Sequence, residues 1–137
     1  MTISFKYKEV KRPDGTKVKA PAIPVTLIGK TIFDVIAIID SGADVTAISK
    51  SIADLLEIDL SAPAEKAHGI GGTIDVIPSK CSIRVEKGHE KYQFNIPVKV
   101  LVNETNLPIL LGRAGFFDNF EITINQKQNR ISLKKLN

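Results

Sequence analysis

The sequence predicts an all-β fold, either a barrel or a sandwich. Short runs of β-branched and aromatic residues recur along the 137-residue chain. Turn-forming residues separate these runs at intervals of roughly 8 to 12 residues, which is typical of such folds. The chain has no internal repeat, low-complexity tract or linker, so its length favours a single domain with one core.

The first third of the chain predicts a hairpin followed by two strands. Residues Ile3–Val10 and Lys17–Ala20 alternate polar and apolar side chains on either side of an Asp-Gly turn, a pattern that is typical of a β-hairpin. Its lysine content indicates a peripheral position. Val25–Ile28 and Thr31–Ile39 are then predicted as strands joined by a Gly-Lys turn.

The rest of the chain predicts one helix and a series of strands. Ser49 is a candidate N-cap for a short helix that ends near Leu56. Gly69–Gly72 has the glycine content of a mobile hairpin tip. The later predicted elements are strands at Cys81–Val85, Tyr92–Val102 and Leu107–Leu111, a helical turn through Phe116 and Phe117, and a hairpin of Glu121–Ile124 and Arg130–Leu136.

Composition narrows the class of protein. Hydrophobic residues make up 43% of the chain and charged residues 25%, which is the ordinary range for a folded globular domain. The formal net charge is +4, but the lysines do not cluster with aromatic residues, so a solvated face is favoured over a nucleic-acid surface. Without an apolar run of about 18 residues or an apolar leader, we expect a cytoplasmic protein with no membrane partner.

The sequence predicts no metal site and no cofactor. Cys81, the only cysteine, and the two histidines His68 and His89 have a spacing that matches no metal-ligand pattern. Cys81 begins an apolar strand, so we expect a small buried side chain there rather than a nucleophile.

The most informative segment of the chain is Asp40-Ser41-Gly42-Ala43, which follows the uninterrupted apolar run Val35–Ile39. A carboxylate at the end of a buried strand destabilises the fold unless it is paired. A chemical role is one reason for a protein to retain such a residue. A simple turn that ends the strand is the alternative, since Asp, Ser and Gly are all favoured in turns. This segment is therefore the first candidate for catalytic chemistry.

Three segments of the chain together resemble one protein family. They are Ile38–Ala43, the glycine-rich segment His68–Gly72, and Ile109–Arg113. In this order and at this spacing they resemble the retropepsins, the single-domain aspartic proteases of retroviruses and their cellular relatives. The Asp-Ser-Gly-Ala motif alone is a weak signal, whereas the ordered set of three is specific.

The resemblance implies a fold and a domain organisation. It covers about Val25–Leu136, so we expect a retropepsin-like aspartic protease domain at residues 25–137 and an N-terminal hairpin extension at residues 1–24. The implied fold is a closed β-barrel with a flap hairpin and one or two short helices. Members of this family act as homodimers that share one active site.

The chemistry of the family also leads to a dimer. Hydrolysing a peptide without a metal requires one group that takes a proton from water and another that donates one to the carbonyl oxygen. Aspartic proteases use two aspartates that share a proton. This chain has a single Asp-Ser-Gly element, so the second catalytic aspartate must be Asp40 of the partner subunit. The prediction is an aspartic endopeptidase that cleaves an extended polypeptide.

The resemblance assigns roles to the residues around Asp40. Ser41 corresponds to the hydroxyl residue that hydrogen-bonds across the dimer axis, and Gly42 to the residue that lets the substrate backbone approach. Ala43 completes the motif, and Asp44 faces the substrate and pairs with Arg113, whose planar guanidinium suits a carboxylate. The flap tip, which would close over the peptide, corresponds to Gly69, Ile70, Gly71 and Gly72.

Other functions are compatible with parts of the sequence. The same fold could act as a catalytically silent peptide-binding or dimerisation module, although the presence of Asp40, Ser41, Gly42 and Arg113 favours the enzyme. The glycine-rich segment is not predicted as a phosphate loop, because no Lys-Ser/Thr follows it. A nucleic-acid-binding β-barrel rests on the positive charge alone.

Overall fold

The structure is a computed structural model, and it describes residues 1–69, 71–103 and 107–137. The elements of this part are β1 (Thr2–Lys6), β2 (Lys8–Lys11), β3 (Lys17–Ala20), β4 (Ala22–Ile28), β5 (Ile32–Ile39), β6 (Thr46–Ser49), α1 (Lys50–Leu56), β7 (Glu65–Gly69), β8 (Gly72–Lys87), β9 (Glu90–Leu101), β10 (Ile109–Leu111), a 3-10 turn (Phe117–Asn119), β11 (Phe120–Asn125) and β12 (Arg130–Lys135). The prediction of an all-β fold with one or two short helices is confirmed.

Six of the strands close into a barrel. Their order is β4-β5-β10-β6-β9-β8, and β8 pairs with β4 to complete the ring. Most neighbours are antiparallel, but β10 runs parallel to β5 and β6 runs parallel to β9. Strand β7 extends the sheet beyond the ring by pairing with the first part of β8. The predicted closed barrel is therefore confirmed.

The core fills the barrel with alternate side chains of its strands. Ile23, Leu27 and Ile83 are fully buried inside it. The rings of Phe116 and Phe120 are also buried, with their centroids 5.3 Å apart, a separation at which aromatic pairs stabilise one another. These two phenylalanines lie on either side of the 3-10 turn and anchor the C-terminal strands to the core.

Helix α1 begins where the sequence predicts. The backbone N–H of Ile52 donates a hydrogen bond of 3.3 Å to the Ser49 hydroxyl, so Ser49 is the N-cap. Ala53 and Leu56 are buried, but Leu55 is exposed, so the apolar face of the helix is narrower than its sequence indicates. No helix of the described residues is long and apolar enough to cross a membrane.

The N-terminal strand differs from its sequence prediction. The sequence predicts one strand over Ile3–Val10, but the structure divides it at Tyr7. Strand β1 pairs with β12, with Ile3 opposite Leu133, and only β2 pairs with β3 in a hairpin. Both Ile3 and Leu133 are buried. Burial of apolar side chains against the C-terminal strand therefore outweighs continuation of the hairpin, and the hairpin is confined to residues 8–20.

Other strand boundaries also differ from the sequence prediction, such as the start of β4, which lies at Ala22 rather than Val25. Cys81–Val85 is only the middle of the 16-residue strand β8, because pairing with β9 continues across residues with weak strand preference such as Pro78 and Lys80. The strand predicted from Leu107 begins at Ile109. The pairing partner, rather than local composition, sets these boundaries.

We predict that the sheet β1-β12-β11 contributes directly to stability. Leu133→Ala should lower the free energy of unfolding by about 2–5 kcal/mol, because Leu133 is fully buried between Ile3 and Ile122. Urea unfolding at a fixed protein concentration measures this loss.

The matched control is Ile124→Ala on β11, where the side chain is 46% exposed. This change should cost less than about 1 kcal/mol. Equal losses for the two variants would contradict the buried position of β12.

Candidate active site

Asp40 follows directly after the last residue of β5. Its backbone N–H donates a hydrogen bond of 3.0 Å to the carbonyl of Leu111, the last residue of β10. Because β5 and β10 run parallel, with Ile39 beside Leu111, their carboxyl ends meet at the same edge of the barrel. Ile39 is buried and Asp40 is half-buried, so the carboxylate marks the boundary between the core and the solvent.

A tight turn closes around the Asp40 side chain. The Gly42 backbone N–H donates to Asp40 Oδ1 at 2.9 Å, and the Ala43 N–H donates to the Asp40 carbonyl at 3.2 Å. A Cβ added to Gly42 would lie 3.2 Å from that same carboxylate oxygen, a closer approach than most side chains make. These contacts fix the direction of the carboxylate. Ser41 and Gly42 themselves are exposed.

The segment after the turn is held against the end of β10 by backbone hydrogen bonds. The Arg113 N–H donates to the Ala43 carbonyl at 2.9 Å, and the Ala114 N–H donates to the Asp44 carbonyl at 2.8 Å. Val45 and Ala114 form a parallel bridge that continues this contact. The turn that carries Asp40 is therefore anchored on both sides, at Leu111 and at Arg113.

The predicted pair of Asp44 and Arg113 is present as an ion pair between Asp44 Oδ1 and Arg113 Nη2. The Asp44 side chain is 78% exposed and that of Arg113 is 56% exposed. Exposed ion pairs contribute at most about 1 kcal/mol, so in a single subunit the backbone bonds hold the loop. The two charged groups point into solvent beside the Asp40 turn.

Gly112 and Thr46 hold together the two segments that flank the Asp40 turn. The sequence does not predict Thr46 as a site residue. The Gly112 N–H donates to the buried Thr46 hydroxyl at 3.1 Å. A Cβ on Gly112 would come within 2.4 Å of the carbonyl carbon of Val45, so only glycine allows the two segments to pack this closely. The one sequence signal for Thr46 is a hydroxyl residue in the otherwise apolar stretch of residues 45–48.

The glycine-rich segment lies at the tip of the hairpin of β7 and β8. Gly69 pairs with Gly72, and Gly72 has φ = +115°, a conformation that favours glycine. Ile70, predicted at this tip, lies outside the described residues. An exposed ion pair of 2.6 Å between Lys66 and Asp75 joins the two strands. Among the described contacts, no hydrogen bond or ion pair connects this hairpin to the Asp40 turn.

Cys81 is not a candidate nucleophile. Its side chain is buried in the core, as the sequence predicts. Burial disfavours the thiolate and raises the pKa of the thiol to about 11. The thiol is therefore neutral near pH 7, and nucleophilic catalysis requires the thiolate.

Comparison with known proteins places this chain in a family. A family model described as aspartyl protease matches residues 23–114, which include Asp40, Gly112 and Arg113. A search of curated proteins gave no match.

Solved structures with a similar fold include a retropepsin-like aspartic protease and a retroviral protease-like domain. One is a retropepsin-like aspartic protease from Rickettsia conorii, with a TM-score of 0.58 and 17% identity over 97% of this chain and 91% of that one. Another is the retroviral protease-like domain of Ddi1 from Leishmania major, with a TM-score of 0.51 and 17% identity over 88% of this chain and 97% of that one. At this identity the likeness extends to the fold alone. Because the family model matches well over half of the chain, this retropepsin-like chain belongs to the aspartyl protease family.

Proposed function

We propose that the protein is an aspartic endopeptidase that acts as a homodimer, with one Asp40 from each subunit. The observation that carries this proposal is the single Asp40 carboxylate, oriented by the Gly42 N–H at the end of a buried strand. One aspartate cannot both accept a proton from water and donate one to the scissile carbonyl. Two copies that share a proton can do both.

The exposed Asp40 turn supports a site at the interface of two subunits. Ser41 and Gly42 are exposed in the single chain, and within the described residues the Ser41 hydroxyl forms no hydrogen bond. A two-fold axis beside the turn would bring the two Asp40 carboxylates together and would offer each Ser41 hydroxyl a partner on the other subunit. We assign Ser41 this positioning role, and we assign Asp44 and Arg113 to the binding of the substrate backbone.

In this mechanism the paired carboxylates activate one water molecule. The ionised Asp40 of one subunit takes a proton from the water, and the protonated Asp40 of the partner subunit donates its proton to the carbonyl oxygen of the peptide. Attack by the water oxygen gives a tetrahedral diol. Collapse of the diol transfers a proton to the leaving nitrogen and restores one shared proton to the pair.

The hairpin of β7 and β8 is proposed as the flap that covers the substrate. Strand β7 is the last strand of its sheet, so one of its edges has unpaired backbone groups. An extended polypeptide can pair with such an edge. Closure of the tip over the peptide would exclude water other than the reacting molecule, with Gly69, Ile70, Gly71 and Gly72 as the tip.

We predict that Asp40→Asn abolishes cleavage of a diverse peptide library. The loss should reach at least about a thousandfold, because asparagine can neither accept the proton from water nor share one. Cleavage is measured by mass spectrometry over a range from acid to neutral pH. Circular dichroism should show the same fold for the variant.

Asp54→Asn on helix α1 is the matched control, since this exposed carboxylate forms an ion pair with Lys50 on the same helix. It should retain full activity. Cleavage by Asp40→Asn, or no cleavage by the parent protein of any peptide, would contradict the proposed enzyme. Peptide binding without turnover would instead support a silent peptide-binding module.

A mixing experiment tests whether two subunits share one site. The parent protein and Asp40→Asn are equilibrated together in equal amounts until subunits exchange. If both aspartates are required, only roughly one quarter of the dimers are active, so activity per total protein should fall to about a quarter of the parent value. A fall to only about one half would show that each subunit acts alone and would refute the shared site.

A further inference from the structure

The hairpin of β2 and β3, residues 8–20, contains most of the protein's net charge. It has five cationic side chains and two carboxylates. Its net charge of +3 therefore accounts for three of the four net positive charges of the chain. Four of the fifteen lysines and one arginine lie on this small element, whereas cations and carboxylates nearly balance in the rest of the chain. We call this element the basic hairpin; its cations are Lys8, Lys11, Arg12, Lys17 and Lys19.

The cations of the basic hairpin are only partly balanced by its own carboxylates, since Glu9 lies opposite Lys19 and Asp14 lies near Arg12. None of the five forms an ion pair within the described residues. Lys11 and Lys17 face each other as a direct cross-strand pair, an arrangement of like charges that destabilises a sheet. All five side chains are exposed. An anionic partner would therefore relieve a repulsion that the protein alone leaves uncompensated.

The tip of the basic hairpin is internally braced. The Arg12 N–H donates to the Thr16 carbonyl at 2.7 Å, and the Gly15 N–H donates to the Arg12 carbonyl at 2.9 Å. Asp14 accepts two hydrogen bonds from Thr16, which lower the pKa of the Asp14 carboxyl, with a smaller contribution from the nearby Arg12 charge. A braced tip reduces the loss of backbone conformational entropy on binding.

Both ends of the basic hairpin adjoin segments that hold Asp40. At its base, Pro21 follows directly after β3, and the Pro21 carbonyl accepts a hydrogen bond of 2.8 Å from Ile39, the residue before Asp40. At its tip, residues 11–15 line a cavity together with Leu107. Leu107 lies just before β10, whose last carbonyl binds the Asp40 N–H. The base of the hairpin therefore adjoins the Asp40 end of β5, and its tip lies near the amino end of β10.

We propose that the basic hairpin is a specificity element that binds acidic side chains of the substrate on one flank of the scissile bond. This inference rests on the proposed protease function and names its substrate class as polypeptides with Asp or Glu near the cleaved bond. The length of the hairpin indicates where such acidic residues would lie. From its base at Lys8 to the facing pair of Lys11 and Lys17, the hairpin spans three residues, or about 10 Å. An extended substrate covers the same length in about three residues, so we place the acidic residues about three to five positions from the scissile bond.

The test uses two synthetic peptides built on a sequence that the protein cleaves. They share the same centre and carry either Glu or Gln about three to five residues from the scissile bond on both sides. We expect the parent protein to prefer the Glu peptide about tenfold in kcat/KM at low salt, since several exposed charge pairs each contribute about two- to fivefold. The preference should approach unity in about 0.5 M salt because screening weakens exposed charges.

The variant Lys11→Glu/Lys17→Glu should remove or reverse the preference for the Glu peptide. Its matched control is Lys30→Glu/Lys91→Glu, which changes the net charge equally at exposed positions outside the hairpin. Lys30 lies in the turn at the opposite end of β4, and Lys91 lies near the turn between β8 and β9. The control should keep the preference of the parent protein.

Binding of the same peptides to Asp40→Asn, measured by fluorescence anisotropy, separates this proposal from the proposed function. If no peptide is cleaved, the enzyme proposal fails, and the affinities for the Glu and Gln peptides still decide the role of the hairpin. Equal affinities for both peptides, or equal effects of the two double variants, would overturn the proposal. The proposal would also be overturned if the hairpin variant were monomeric where the parent protein is dimeric. The same holds if the variant bound an oligonucleotide more weakly than the parent protein did, while its affinities for the two peptides stayed equal.

Discussion

The parallel pairing of β5 with the three-residue strand β10 is the contact on which the candidate site depends. It brings the Leu111 carbonyl to the Asp40 N–H and sets Gly112 and Arg113 against the segment that follows the Asp40 turn. Two strands whose paired residues are 72 positions apart in the sequence thereby fix one short turn. The second contact is possible because Gly112 has no side chain where it meets Val45, so a steric requirement of the backbone holds the segment that follows the Asp40 turn.

In the proposed enzyme, this construction supplies one chain's half of the site. The turn is rigidly held, yet Ser41, Gly42, Asp44 and Arg113 all face solvent. A rigid and exposed polar loop is what a two-fold interface requires, since each copy must present the same surface to the other. The base of the basic hairpin adjoins the end of β5, where the Pro21 carbonyl accepts a hydrogen bond from Ile39, and we propose that its charges distinguish substrates.

Much of the site was predictable from sequence, because its signals are local. An apolar run that ends in Asp-Ser-Gly identifies the turn at Asp40, and Ser49 before a helical pattern identifies the cap of α1. Pairing between distant segments leaves no such local signal. The alternation in residues 3–10 correctly indicates extended structure, but it does not reveal that Ile3 pairs with Leu133 rather than with the nearby hairpin. For the same reason Thr46 and the position of the basic hairpin were not predictable.

Titration with a statine-type transition-state analogue tests the central claim most directly. Such a compound mimics the tetrahedral diol and binds more tightly than substrate only where the two carboxylates are correctly placed. Isothermal titration calorimetry gives its stoichiometry. The shared site predicts one bound molecule for two chains, with binding lost in Asp40→Asn. One bound molecule for each chain would contradict a site that is built from two subunits.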